Sequence, residues 1–303
     1  MTLQQTNVWQ YKCFVEWCKA VLFAELLPAK GARVVLLGGA SGADTGKLQR
    51  AHIAHATVVD DAQPLGAAIE RWRGKGEPFE CVGVEASPHA AAQWRDRLPR
   101  ASFDAVFTFD ALDFVCTDER LLDSWLGAVA AALKPTGFLA GVCADSAQLW
   151  SRAQKAVMNE QQGIAGAPGS TTVAGVISSD LFDLSFALGL ETFSRFGTKY
   201  VLTLHEGTAV PQAAAGAGQE YRSLVHFASL IRLARAHRLR FVEATNLLEF
   251  YEDQKKPHAV ALKQSGMLGP QGKGKIEQAD LIGMYTTFVF AKMTSDEMDE
   301  QHP

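Results

Sequence analysis

Between Val34 and Lys47 the chain reads Val-Val-Leu-Leu-Gly-Gly-Ala-Ser-Gly-Ala-Asp-Thr-Gly-Lys, an apolar run that gives way to small residues and then to a helix-forming stretch. Glycines at Gly38, Gly39 and Gly42 let the backbone turn sharply and approach a ligand closely. Two carboxylates, Asp60 and Glu85, close the next two apolar runs. An acidic side chain at the end of the second strand of a β-α-β unit can accept hydrogen bonds from both ribose hydroxyls of a nucleoside. The chemistry is that of a nucleotide-type pocket. Other patterns carry less. His52 and His55 stand three apart with no third metal ligand nearby and read as a surface pair. Arg232, Arg235, Arg238 and Arg240 form a basic run that reads as a solvated face.

The elements that must position these groups follow from periodicity. Apolar residues at near-helical spacing predict a helix over Tyr11 to Leu27, ended by Pro28 and Gly31. Strand Arg33 to Leu37 enters the glycine turn, helix Asp44 to His52 leaves it, and strand Ala56 to Val59 closes the unit. The pattern repeats with helix Pro64 to Arg73, strand Phe79 to Val84, helix Ser87 to Arg97, strand Phe103 to Phe109, and a helix from Asp118 to Leu133 capped by Thr117. Lys134 to Gly137 reads as a turn into strand Phe138 to Cys143. This alternation means an α/β fold with a parallel sheet covered on both faces. Beyond it come helix Ser146 to Gln161, a Gly/Ser/Thr-rich loop at Gly163 to Ser179, and strands Phe193 to Phe196 and Lys199 to Leu204. A small-residue loop at Ala213 to Gly218, helix Leu224 to His237 and strand Arg240 to Glu243 follow. A loose stretch from Lys255 to Lys275 precedes a final strand, Met284 to Ala291.

At 303 residues with 48% hydrophobic content the chain can bury a full core, and its formal charge of -4 excludes a generally basic nucleic-acid coat while permitting a local basic pocket. Five cysteines without a CxxC pair read as reduced thiols with neither disulfide nor zinc, in a nuclear or cytoplasmic compartment. The polar N-terminus lacks the order of a secretory signal, and no apolar run reaches the roughly 18 residues of a membrane span.

Several segments together resemble the messenger-RNA cap guanine-N7 methyltransferases, a branch of the S-adenosylmethionine-dependent enzymes with a seven-stranded Rossmann-like sheet. Phe14 to Lys19 is similar to that family's Asn-Asn-Trp-x-Lys segment, with Trp17 and Lys19 in place. Gly42 to Lys47 resembles Gly-Gly-Asp-x-x-Lys, and Phe103 to Val106 matches Phe-Asp-x-Val. Phe109 stands where the family has a glutamine, and Asp110 to Phe114 in the place of Phe-Ala-Leu-His-Tyr. In the C-terminal half, Phe196 to Tyr200 resembles Phe-Gly-x-Lys-Tyr, and Leu247 to Glu252 resembles Phe-x-Glu-Phe-Tyr-Glu. Glu220-Tyr221 with Leu224 to Phe227 looks like a split Glu-Tyr-Leu-Val-x-Phe, and Met284 to Lys292 like Leu-Tyr-x-x-Phe-x-Phe-x-Lys. A small-molecule methyltransferase would explain the glycine turn but not these later segments.

The resemblance implies one methyltransferase-like domain over 1–303, with an N-terminal helical segment (1–30), a Rossmann-like core (31–145) and a cap-specific part (146–303) carrying loops at 163–179 and 255–275. It implies S-adenosylmethionine as cofactor, contacted by Lys19, Gly38, Gly42, Asp44, Asp60, Glu85 and Phe109. It implies a capped RNA 5' end as substrate, met by Lys47 on phosphate, Asp113 and Phe114 in the cap pocket, Glu220 on the guanine edge, and Tyr285 or Tyr221 beside the base. A protein partner from a capping complex belongs to the same expectation; a metal and a membrane do not. Guanine N7 has a free lone pair, so its methylation needs positioning and no general base. The chain departs from the family at Leu36 (for an acidic residue), Ala40 (glycine), Ser41 (lysine), Asp113 (histidine), Phe114 (tyrosine) and Ala144 (proline). These departures leave two readings: a cap methyltransferase or divergent homologue, and a catalytically inactive relative acting as an RNA-end reader or as an activating or scaffold subunit.

Overall fold

The computed structural model describes residues 7–109, 111–161, 171–173, 176–186, 194–205, 221–268, 274–294 and 297. In chain order the elements are α1 (Trp9–Leu26), β1 (Arg33–Leu37), a short 3-10 turn (Ala40–Gly42), α2 (Thr45–Arg50), β2 (His55–Asp60), α3 (Ala62–Gly74), β3 (Glu80–Glu85), α4 (Ala91–Trp94), β4 (Phe103–Thr108), α5 (Leu112–Val115), α6 (Glu119–Ala132) and β5 (Leu133–Ala144). There follow α7 (Ser146–Gln161), β6 (Thr171–Val173), β7 (Val176–Ser178), β8 (Phe182–Phe186), β9 (Lys199–Leu204), β10 (Arg222–Ser223), α8 (Phe227–Ala236), β11 (Leu239–Asn246), α9 (Leu247–Gln254), α10 (Ala259–Ser265), α11 (Ala279–Ile282) and β12 (Tyr285–Lys292). The chain divides into two compact units. A core unit holds Lys19–Cys143, Phe227–Thr245 and Thr287–Pro303, and a second unit holds Met1–Cys18, Ala144–His226 and Asn246–Thr286.

The core unit is built on a seven-stranded sheet in the order β11-β12-β5-β4-β1-β2-β3. β1 pairs in parallel with both β2 and β4, β2 with β3, and β4 with β5. The chain winds outward from β1 through β2 and β3, then returns to place β4 on β1's other side. This reversal leaves a crevice at the carboxyl ends of β1 and β4, where ligands bind in open α/β sheets. Central strands covered on both faces must be apolar throughout, and Val34, Val35, Leu37, Phe103, Ala105 and Phe107 are fully buried. On α6 the buried face is Leu122, Trp125, Leu126 and Val129, and the Trp125 indole N–H donates to the Pro88 carbonyl at 3.0 Å.

Boundaries in this unit shift from expectation for local reasons. The cap of α6 is Asp118, not Thr117: its carboxylate accepts from the Arg120 and Leu121 amides at 2.8 and 3.2 Å. The Thr117 hydroxyl instead donates to the Phe114 carbonyl at 2.9 Å. Ser87 to Arg97 is helical only from Ala91, because Pro88 and the loop around it precede α4. The expected turn at Lys134 to Gly137 is absorbed into β5, with Thr136 at φ 66°. His52 and His55 are not a surface pair. His55 is buried, its Nε2 bonded to the Thr57 hydroxyl at 2.9 Å and its Nδ1 3.0 Å from Glu80 Oε2.

The second unit carries a five-stranded antiparallel sheet in the order β10-β9-β8-β7-β6. The stretch expected as loop at 163–179 contributes β6 and β7, and β8 was not anticipated. Residues 194–196 of the expected strand Phe193 to Phe196 form no strand, and Phe193 lies outside the described residues, as does the loop at 213–218. Within the stretch expected to be loose, Lys255 to Lys275, lies α10, closed by Gly266 at φ 72°. The Asn246 side chain caps α9 by accepting from the Leu248 amide at 3.1 Å, and it donates to Asp145 Oδ2 and to the Gly283 carbonyl at 2.8 and 2.9 Å. Trp17 packs edge-on against Phe250 and Tyr251, with ring centroids 5.8 and 5.9 Å away. Segments that matched family motifs at opposite ends of the sequence thus form one aromatic cluster.

Candidate functional site

In the core unit β1 delivers Gly38 at the carboxyl edge with φ +84°, and its amide donates to the Val59 carbonyl at 3.0 Å. A Cβ there would project into open space, so this backbone is bare to an approaching ligand. Gly42 serves packing: at φ +78°, its Cβ would lie 2.9 Å from the Ala68 Cα of α3. Gly39 faces β2, where a Cβ would come within 2.5 Å of Val58 Cγ1 and 3.6 Å of Asp60 Oδ2. Ser41 holds φ 50° without being glycine; the Ala40 side chain lies outside the described set.

Asp44 follows the turn, buried, with a lysine on each carboxylate oxygen: Lys19 Nζ at 3.3 Å from Oδ2 and Lys47 Nζ at 2.9 Å from Oδ1. Burial pushes the Asp44 carboxyl up, but the charges and hydrogen bonds of Lys19 and Lys47 outweigh it and hold the pKa below its ordinary value. Lys19 comes from α1, is itself buried, and lies 5.0 Å from the centroid of the Phe109 ring. Lys47, expected on the cap phosphate, is mostly buried and also donates to the Ala43 carbonyl at 3.3 Å.

Asp60 and Glu85 are register partners at the ends of β2 and β3. Asp60 is buried; its Oδ2 accepts from the Gly39 amide at 2.6 Å and its Oδ1 from the Asp61 amide at 2.9 Å. Glu85 is exposed. Asp113 is buried on α5, and beside it the thiol of Cys116 is pushed well up by burial and by that carboxylate's charge. Phe114 lies against the His89 ring, with centroids 4.4 Å apart, a partner the sequence reading missed. The core unit therefore gathers Lys19, Asp44, Lys47 and Phe109 in one contact network and sets Asp60 beside Glu85.

In the second unit Tyr285 is 8% exposed, its ring 5.0 Å from that of Tyr11 at an interplanar angle of 33°. Tyr221 is 49% exposed, with Lys199 Nζ 5.9 Å from its ring centroid. Glu220 and Asp110 lie outside the described residues. Among the described residues no group of three or more His, Cys, Asp or Glu could hold a metal ion, and no helix is long and apolar enough to cross a membrane.

The winding of the sheet and the glycine turn at its switch point define an S-adenosylmethionine-dependent methyltransferase fold. The CcbJ methyltransferase of Streptomyces caelestis shares it at TM-score 0.50 and 13% identity, covering 92% of this chain and 89% of that one. The mRNA (guanine-N(7))-methyltransferase domain matches residues 2–293. Two relatives named mRNA cap guanine-N(7) methyltransferase 2 are similar over most of their length. That of Oryza sativa subsp. japonica is 32% identical over 85% of this chain and 73% of its own, and that of Arabidopsis thaliana 31% identical over 86% and 70%. The chain belongs to the mRNA (guanine-N(7))-methyltransferase family.

Proposed function

We propose that this chain methylates guanine N7 of a capped RNA 5' end with S-adenosylmethionine as donor. The observation that carries the reading is the Lys19–Asp44–Lys47 cluster beside the bare backbone of Gly38. The buried Asp44 carboxylate is bridged by the ammoniums of Lys19 and Lys47 next to that backbone, a polar lining that suits the ammonium and carboxylate of an amino-acid-bearing nucleoside. Asp60 remains able to accept further hydrogen bonds, since each carboxylate oxygen has two lone pairs and one bond to a backbone amide. The residues present fit the donor on these grounds. Leu36, buried in β1, supplies no acceptor of its own.

When bound, S-adenosylmethionine supplies a methyl group on a positively charged sulfur, ready for displacement by a ring-nitrogen lone pair. The protein's task is then orientation and exclusion of water. Lys19 and Asp44 hold the amino-acid end, Asp60 and Glu85 the nucleoside end, and Phe109 keeps the Lys19 ammonium in place. On the cap side, Lys47, Asp113, Phe114, Glu220, Tyr221 and Tyr285 carry the roles given by resemblance. Tyr285 is the stronger choice beside the base, because its ring is held by Tyr11 whereas Tyr221 is half exposed. An aromatic face also favours the cationic methylated product. A capping-complex partner belongs to the same reading.

Calorimetry with S-adenosylmethionine and separately with a cap dinucleotide, followed by methyl transfer to unmethylated capped RNA, tests it. Donor binding in the micromolar range with transfer supports the enzyme. Cap binding without donor binding replaces it with an RNA-end reader, and binding of neither with a scaffold subunit.

A further inference from the structure

We infer that Tyr11, in the first turn of α1, is a positioning residue for guanine recognition: it sets the plane of the Tyr285 ring. The inference rests on the reading of Tyr285 as the ring beside the base. Little of Tyr285 is exposed, so the pose it can offer a base is decided by what it lies against, and Tyr11 lies against it at 5.0 Å between centroids. An aromatic pair of this geometry holds orientation as well as volume.

The backbone around Tyr11 is fixed with unusual completeness. Gln10, almost fully buried, donates its amide hydrogens to the Met267 and Lys275 carbonyls at 3.2 and 2.8 Å and accepts from the Glu277 and Gln278 amides at 2.7 and 3.0 Å. Gln278, also buried, returns the clasp by accepting from the Tyr11 amide at 2.8 Å and donating to the Asn7 carbonyl. A buried amide network of this kind specifies one geometry, since a slip strands a polar group. From Gln278, which precedes α11, the chain runs through Gly283 to Tyr285. The same clasp therefore sets the backbone on both sides of the ring pair. The hydrogen bonds of the clasp run to Asn7, Tyr11, Met267, Lys275, Glu277 and Gln278, so its failure is expected to show on the cap.

Tyr11→Leu keeps apolar volume and removes the ring; Tyr11→Phe keeps the ring. We expect Tyr11→Leu to raise the Kd for a cap dinucleotide and the KM for capped RNA about fivefold, with kcat, S-adenosylmethionine affinity and melting temperature little changed, and Tyr11→Phe to behave as wild type. Tyr285→Ala is the control on the underlying reading and should weaken cap binding more than Tyr11→Leu does. If Tyr285→Ala leaves cap affinity intact, the reading of Tyr285 fails, and this inference with it. If Tyr285→Ala weakens the cap but Tyr11→Leu does not, only the role of Tyr11 fails. A fall in melting temperature and donor affinity together in Tyr11→Leu would show plain packing and overturn the inference. Should that variant not fold, Tyr11→His carries the same comparison with a smaller ring.

Discussion

Replacing Asp44 by Asn removes one charge from the cluster beside the glycine turn while keeping the side chain's size. In the wild type, ammoniums stand 3.3 and 2.9 Å from the two oxygens. At an effective dielectric of about 20 each attraction is about 5 kcal/mol before the cost of taking the ions out of water. The depressed Asp44 pKa shows that attraction exceeds that cost for the carboxylate. In Asp44→Asn the buried Lys19 ammonium faces a neutral amide, and breaking a buried pair in this way costs about 3 kcal/mol. Lys19→Met, which removes the ammonium that Asp44 balanced, should recover much of the loss in the double variant. Urea unfolding of the four proteins gives a coupling energy, expected at about 2 kcal/mol. The pH dependence has a definite sign. A carboxyl whose folded pKa is below its unfolded value stabilises fully above about pH 4 and loses that contribution as pH falls through the folded value. Wild type should therefore lose stability on acidification more steeply than Asp44→Asn. Calorimetry should also show weakened S-adenosylmethionine binding in Asp44→Asn. Losses that simply add, within about 0.5 kcal/mol, would refute the account of one shared ionic cluster.

Gly39→Ala would bring a methyl group within 2.5 Å of Val58 Cγ1, and should cost about 1–3 kcal/mol and loosen donor binding as the turn shifts off Asp60; calorimetry of the Gly39→Ala, Val58→Ala pair should show donor affinity restored. Gly141→Ala places a Cβ 1.6 Å from the Thr108 carbonyl oxygen, across the β4–β5 pairing. No rotamer relieves a backbone clash, so the variant should be insoluble or lack the near-ultraviolet dichroism of the packed core. Asp118→Ala removes the α6 cap and should lower stability by about 1 kcal/mol in a thermal melt, with donor and cap affinities unchanged.

The core sheet was legible because its signals are local: apolar runs of strand length, breakers between them, and carboxylates at strand ends. Arg33–Leu37 falls where the apolar pattern puts it, and so, in the second unit's sheet, does Lys199–Leu204. β6, β7 and β8 were not legible, because their stability comes from pairing with one another and with β9, and Thr171–Val173 is too short to show alternation. The Gln10–Gln278 clasp is invisible for the same reason, its partners lying 268 positions apart. No periodicity marks a glutamine whose work is done by four backbone groups elsewhere in the chain.

The candidate site shows where residue identity stops informing. Three glycines in one turn, counted alike in the sequence, answer to different neighbours. Gly38 leaves its backbone open, Gly39 yields to a valine of β2, and Gly42 yields to the backbone of α3. Only the first bears on ligand approach, so loss or gain of a glycine in this turn measures packing as much as binding. The stronger measure is electrostatic. Lys19, Asp44 and Lys47 read separately as three ordinary charges 25 and 3 positions apart; folded, they put two positive groups on one buried carboxylate. Apolar packing alone would be served as well or better by neutral side chains of the same volume. A buried ionic cluster beside the bare backbone of Gly38 is therefore the feature that supports the proposed place for the donor's amino-acid end. The departures at Leu36 and Ala40 lie on the strand and in the turn, and neither removes a member of the cluster.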